Sequence, residues 1–179
     1  MKKSFLLSVL ACSILVFTSC EKIQDALFQP FESPISFDIT IPVVTSTANE
    51  VSMGQTVVQY NLDSVIRKHT SNALGADIVG AMYINQIGIQ LSNSDGNNNL
   101  GNFDYVKLSV ASNGTPAVVG PLNIPAGSSS AATFTITGSP DIRPYFGGSA
   151  VTFRLSGKAN KATTKTLQAR ISATVKFDK

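Results

Sequence analysis

The sequence predicts an all-β fold, a two-sheet antiparallel β-sandwich of about eight strands with one short helix. Three observations carry this. First, residues 167–177 alternate without a break, with Leu167, Ala169, Ile171, Ala173, Val175 and Phe177 set against Gln168, Arg170, Ser172, Thr174 and Lys176. Successive side chains of a strand point to opposite faces, so this run has one apolar face that needs a facing layer to cover it. Second, similar alternation recurs at short intervals, punctuated by segments rich in Gly, Pro, Asn and Ser. Third, with 14% charged and 43% hydrophobic residues and no Trp, the composition suits a β-rich domain with polar loops and excludes a charge-rich disordered chain.

The elements follow in order. Ile35, Phe37, Ile39 and Ile41 alternate with Ser36, Asp38 and Thr40, a strand that ends at Pro42. Residues 45–54 are polar loop and 55–62 a second strand. Asn61 or Asp63 then caps a short helix through His69, because either side chain accepts from the free amides of a first turn. Residues 71–80 form a loop. Alternation returns over 83–92, with Ile87, Ile89 and Leu91 on one face, and over 105–111, with Val106, Leu108 and Val110. The Asn-rich, Gly-containing segment 93–102 between them predicts an antiparallel hairpin. Residues 116–125, with a proline at each end, suit an edge strand, where a missing amide donor does little harm. Residues 132–138 form another strand with Phe134 and Ile136 inward. Val151, Phe153 and Leu155 make a strand leading into Gly157, and 158–165 is expected to be the loop of a final hairpin returning along 167–177. Ig-like and jelly-roll-like topologies both satisfy this pattern.

The first twenty residues are different in kind. Lys2 and Lys3 precede a mainly apolar run of 14 residues, 4–17. As a helix that run would span roughly 21 Å, short of a ~30 Å hydrocarbon layer, so it reads as a signal peptide. It ends in Phe17, Thr18, Ser19 and Cys20, which resembles the lipobox of bacterial lipoproteins, with Phe17 standing where leucine is usual. Cys12 follows Val9, Leu10 and Ala11, but its apolar run is shorter, so the resemblance points to Cys20. It implies cleavage before Cys20, acylation of that residue, and a lipid-anchored place in the bacterial cell envelope. Glu21, rather than Asp, at the next position favours the outer membrane. The alternatives are an ordinary secretory signal cut near Ser19 and an uncleaved anchor. The chain then divides into a signal peptide (1–19), an anchor and tether (20–33), and a β-sandwich domain (34–179).

Chemistry-bearing constellations are sparse. His69 is the single histidine, and no serine near it sits in a nucleophile-elbow sequence. With Cys12 in the leader and Cys20 modified, a zinc site lacks ligands, and no cofactor is expected. Asp95 and Asp104 flank the Asn-rich segment and make a loose calcium candidate, although an EF-hand register fails at its first and twelfth positions.

Charge is uneven. From Arg143 onward eight basic residues face one acid, for a net +7, while from Cys20 to Ile142 four face ten, for −6. Arg154, Lys158, Lys165, Arg170 and Lys176 are the candidate anion-binding residues. Four of them share the polar parity of the expected final hairpin and would cluster on one outer face, open to a glycan or other polyanion. The overall +3 is too small to imply nucleic-acid binding. The expected role is a non-catalytic interaction or structural module, with the membrane, an envelope protein or a glycan as partner.

Overall fold

The computed structural model describes residues 28–112 and 114–179, so Cys20 and the segment before it lie outside the described residues. Eight strands run in order: β1 (Phe31–Ile41), β2 (Val51–Gln59), β3 (Ala81–Leu91), β4 (Phe103–Ala111), β5 (Ala117–Asn123), β6 (Ala131–Thr135), β7 (Ala150–Ala159) and β8 (Leu167–Asp178). One helix, α1 (Leu62–His69), follows β2 and is capped by Asn61, whose side chain accepts from the Ser64 amide at 2.9 Å.

The strands form two four-stranded antiparallel sheets, ordered β1-β8-β3-β6 and β2-β7-β4-β5. That interleaved order is the jelly roll rather than the immunoglobulin arrangement. It also corrects both expected hairpins. β3 and β4 lie in opposite sheets, as do β7 and β8, and of the consecutive strands only β4 and β5 pair with each other. The Asn-rich segment and the 158–165 loop therefore cross from one sheet to the other. Turn composition shows where a chain reverses, and both kinds of reversal use the same residues.

The core lies between the sheets. β8 sits centrally in its sheet, and all six apolar residues of its alternating run are buried. Opposite it, Phe153 on β7 stacks on Phe37 of β1 across the interior, ring centroids 4.3 Å apart. Full burial of such side chains contributes about 1.5–3 kcal/mol each. On the β1–β2 side the sheets close together at Gly54, whose φ is +111° and where a Cβ would stand 2.5 Å from the Thr40 carbonyl oxygen. The register of β2 against β7 shifts between Ser52 and Gln55. This bulge breaks the alternation of β2, whose first residues the sequence pattern assigned to loop.

The folded part begins earlier than position 34. β1 starts at Phe31, and Phe28 is already buried. Prolines at 30 and 34 hid this stretch from a periodicity reading, although Pro34 sits comfortably on an edge strand.

Candidate functional site

At one end of the sandwich β1 enters through Phe31 beside Phe177. The opposite end carries the connections 92–102, 124–130 and 160–166. β1 has eleven residues, so the two ends stand about 36 Å apart at ~3.3 Å per residue.

This far tip gathers the three buried polar side chains of the described residues, Asn98, Asn102 and Thr163. Each is satisfied. Asn102 donates through Nδ2 to the carbonyls of Asn97 (2.9 Å) and Ala162 (3.1 Å) and accepts through Oδ1 from the Asn99 amide (3.1 Å). Asn98 accepts from the Thr164 amide at 2.7 Å and donates to Asp95 at 3.1 Å. The Thr163 hydroxyl accepts from the Val44 amide at 2.9 Å. Buried amides left without partners would cost about 1–3 kcal/mol each, so these bonds hold the β3–β4 and β7–β8 connections in one arrangement.

Asp95 is the hub. Its Oδ1 accepts from the amides of Asn97 and Asn98, both at 2.9 Å, and its Oδ2 meets Lys165 Nζ at 2.7 Å. The Lys165 ammonium, followed by the Asn97 amide and the Asn98 side chain, holds its carboxyl well below the usual carboxylate range. Asp104 instead faces Lys158 at 3.8 Å. The expected calcium pairing is thus not assembled. The two acids serve different cations, and among the described residues no group of three or more His, Cys, Asp or Glu gathers.

Beside this knot lies an open hollow of about 360 Å³ lined by Gly96, Asn99, Gly101, Gly127, Ser128 and Lys161, among others. Gly96 and Gly127 leave open space where a side chain would stand. The lining offers hydroxyl, amide and amine groups, which suit hydrogen bonding to a polar ligand. Sequence reading passed over Asn98, Asn102 and Lys161, because a buried loop amide and a solvated one look alike in sequence.

The basic face expected from the last two strands is not formed, and here the topology corrects the sequence reading. Arg154 and Lys158 lie on β7 and Arg170 and Lys176 on β8, so they occupy opposite sheets. Most are also paired: Arg170 with Asp38 (3.8 Å), Lys176 with Asp178 (2.8 Å) and Lys158 with Asp104, while Arg154 donates to Gln55 Oε1 at 3.1 Å. Lys165 belongs to the tip.

A second cluster, unforeseen in the sequence, lies around Glu50 at the start of β2. Its carboxylate accepts from Lys107 (2.6 Å), the Ser156 hydroxyl (2.8 Å) and the Tyr105 hydroxyl (3.2 Å). Lys107, then Ser156, draws the Glu50 carboxyl below its ordinary value. His69 stands exposed at the end of α1 and stacks on Phe31, centroids 3.6 Å apart.

No family model matches the sequence, and no curated protein matches it. Among solved structures, the cyanophage Pam1 capsid asymmetric unit is similar at 14% identity, covering 84% of this chain and 88% of that one, with a TM-score of 0.35. The VP2 subviral particle of infectious bursal disease virus matches at 10% identity and TM-score 0.34 over 83% of this chain, which spans 32% of the viral one. A Clostridium perfringens structure in complex with GalNAc-β-1,3-galactose matches at 19% identity and TM-score 0.27, covering 55% of this chain and 60% of that one. Likenesses of this strength carry no functional argument, and the jelly-roll assignment rests on strand order.

Proposed function

We propose that this chain is a lipid-anchored envelope lipoprotein whose jelly roll acts as a non-catalytic interaction module, with its polar tip turned away from the bilayer. The observation that carries the reading is spatial. Phe28, the first described residue, is eight positions after Cys20 and is already part of the core. A tether of that length reaches at most about 26 Å at ~3.3 Å per residue. An acylated Cys20 would therefore hold the Phe31 end against the membrane and present the Asn98–Asn102 end outward. Several acyl chains give stable anchoring, at roughly 0.8 kcal/mol per buried methylene. The non-catalytic part is supported by how the described acids are used. Six of the described acids, Asp38, Glu50, Asp63, Asp95, Asp104 and Asp178, each face a lysine or arginine.

Fractionation of cells fed labelled palmitate tests the anchor. Wild-type chain is expected in the membrane fraction with label, and Cys20→Ser in the soluble fraction without it. Equal partition of the two, with no label on either, would refute the reading.

A further inference from the structure

The hollow at the far tip is built from the three connections that meet there, and backbone bonds join them. The Asn102 carbonyl accepts from the amides of Asn160 (2.9 Å) and Lys161 (3.2 Å), which ties 92–102 to 160–166. The Leu100 amide donates to the Ser129 carbonyl at 2.9 Å, which ties in 124–130. Asn102 is itself buried and holds the Ala162 carbonyl at 3.1 Å through its side chain. Lys161, Ser128 and Ser129 therefore start from fixed backbone positions around one space. Groups placed in this way lose less freedom on binding than groups on independent loops.

The chemistry of the lining narrows what the hollow can take. Among the described residues it consists of glycine, serine, asparagine and one lysine. A divalent cation would find no carboxylate there, a lipid tail no apolar wall, and a sugar ring no aromatic face. The asparagines are occupied by the loop itself: Asn99 accepts from the Gly101 amide at 2.9 Å and donates to the Asp95 carbonyl at 2.9 Å, and Asn102 bonds as described above. The groups left to meet a ligand are the Lys161 amine and the two serine hydroxyls, all of them donors. Asp95, the nearest acid in the chain, is engaged by Lys165 at 2.7 Å, and Lys161 takes part in none of the ion pairs among the described residues. Gly96 and Gly127 keep the mouth open, with nothing within 4 Å of where a Cβ would stand.

We infer that this hollow binds a phosphate group, free or carried on a hydrophilic molecule, with Lys161 supplying the charge and Ser128 and Ser129 donating to the phosphate oxygens. A phosphate group brings about −1.5 to −2 charges at pH 7 and three strong acceptor oxygens, which matches one cation flanked by hydroxyl donors. Lysine meets phosphate as a point charge, whereas a planar carboxylate is matched best by the two-pronged guanidinium of arginine, and the lining has none. The inference deepens the interaction-module reading by naming what the tip takes, and it rests on that reading for its role in the cell.

Amide NMR of the full chain in detergent micelles, titrated at constant ionic strength, tests it. Inorganic phosphate and glucose 6-phosphate are expected to give saturable shifts confined to residues 96–102, 127–129 and 160–162, and glucose and acetate to give none. Tighter binding of glucose 6-phosphate would assign a carried phosphate, and tighter binding of inorganic phosphate a free one. Lys161→Gln is expected to weaken binding at least tenfold, while Lys68→Gln, which removes the same charge from α1 at the opposite end, binds as the parent does. Gly96→Asp places a carboxylate at the open mouth and is expected to abolish binding, with a dispersed spectrum showing the fold intact. Absence of saturable shifts, shifts spread over lysines elsewhere, an equal response to acetate, or parental affinity in Lys161→Gln would overturn the inference. A chain that is labelled by palmitate and partitions to membranes yet gives no saturable shift refutes this inference alone and leaves the anchor standing.

Discussion

Phe31 lies flat on Phe177, ring centroids 4.6 Å apart and planes 3° from parallel, so the first residue of β1 covers the end of β8. On its other side Phe31 carries the His69 ring, and Phe28 meets it edge-on at 6.1 Å. This aromatic stack ties the chain's entry point and the end of α1 to the core.

The stack predicts a ranking. Phe177→Ala, at a fully buried position, is expected to cost about 3–5 kcal/mol, because it removes a large side chain and leaves a cavity. Phe31→Ala, half-buried, is expected to cost about 2 kcal/mol. Urea unfolding of the two variants checks the order, and a Phe31→Ala midpoint equal to the parent's would show that the entry segment is not part of the cooperative unit.

Gly54 and Gly88 make a matched pair. A Cβ at Gly54 meets Thr40 and Ile39 and sits at positive φ, whereas at Gly88 the nearest atoms are 3.8 Å away. Gly54→Ala is therefore expected to lose at least about 2 kcal/mol. Gly88→Ala is expected to stay within about 0.5 kcal/mol of the parent. Thermal unfolding of both variants measures the difference.

At the tip, Asn102→Ala strands the Asn97 and Ala162 carbonyls and the Asn99 amide. The expected loss is about 1–3 kcal/mol. Hydrogen exchange should accelerate first in residues 93–102 and 160–166, with β8 changing least.

The Asp95 carboxyl titrates lower in the folded chain than in the unfolded one. Its contribution is therefore complete above the unfolded value of about 3.9 and is lost as pH falls through the folded value. Wild type is expected to melt above Asp95→Asn at pH 7, with the gap closing progressively below about pH 4. A gap that widens on acidification would contradict the assigned role of Lys165 and the loop amides.

Much of the fold was legible because period-two alternation has one physical cause. The run from Leu167 to Phe177 and the faces of Ile87, Ile89 and Leu91 appear in the structure as read. The cap of α1 was narrowed to two residues, and Asn61 is the one that bonds. What did not show was which sheet a strand joins. That choice depends on how six cross-sheet connections fit around one core, and local composition carries no trace of it. The expected basic face failed for this reason, since Arg154 and Arg170 share a parity but not a sheet. The tip was half legible, because its Asn density was plain while the burial of Asn98 and Asn102 came only with the crossing of the 160–166 connection beneath them.

The most direct measurement of the central claim is the mass of the N-terminal peptide of chain isolated from membranes. The account predicts that the peptide begins at Cys20 and carries a diacylglyceryl group on its sulfur. A peptide bearing a free Cys20 thiol, or one that begins upstream of it, would contradict the account.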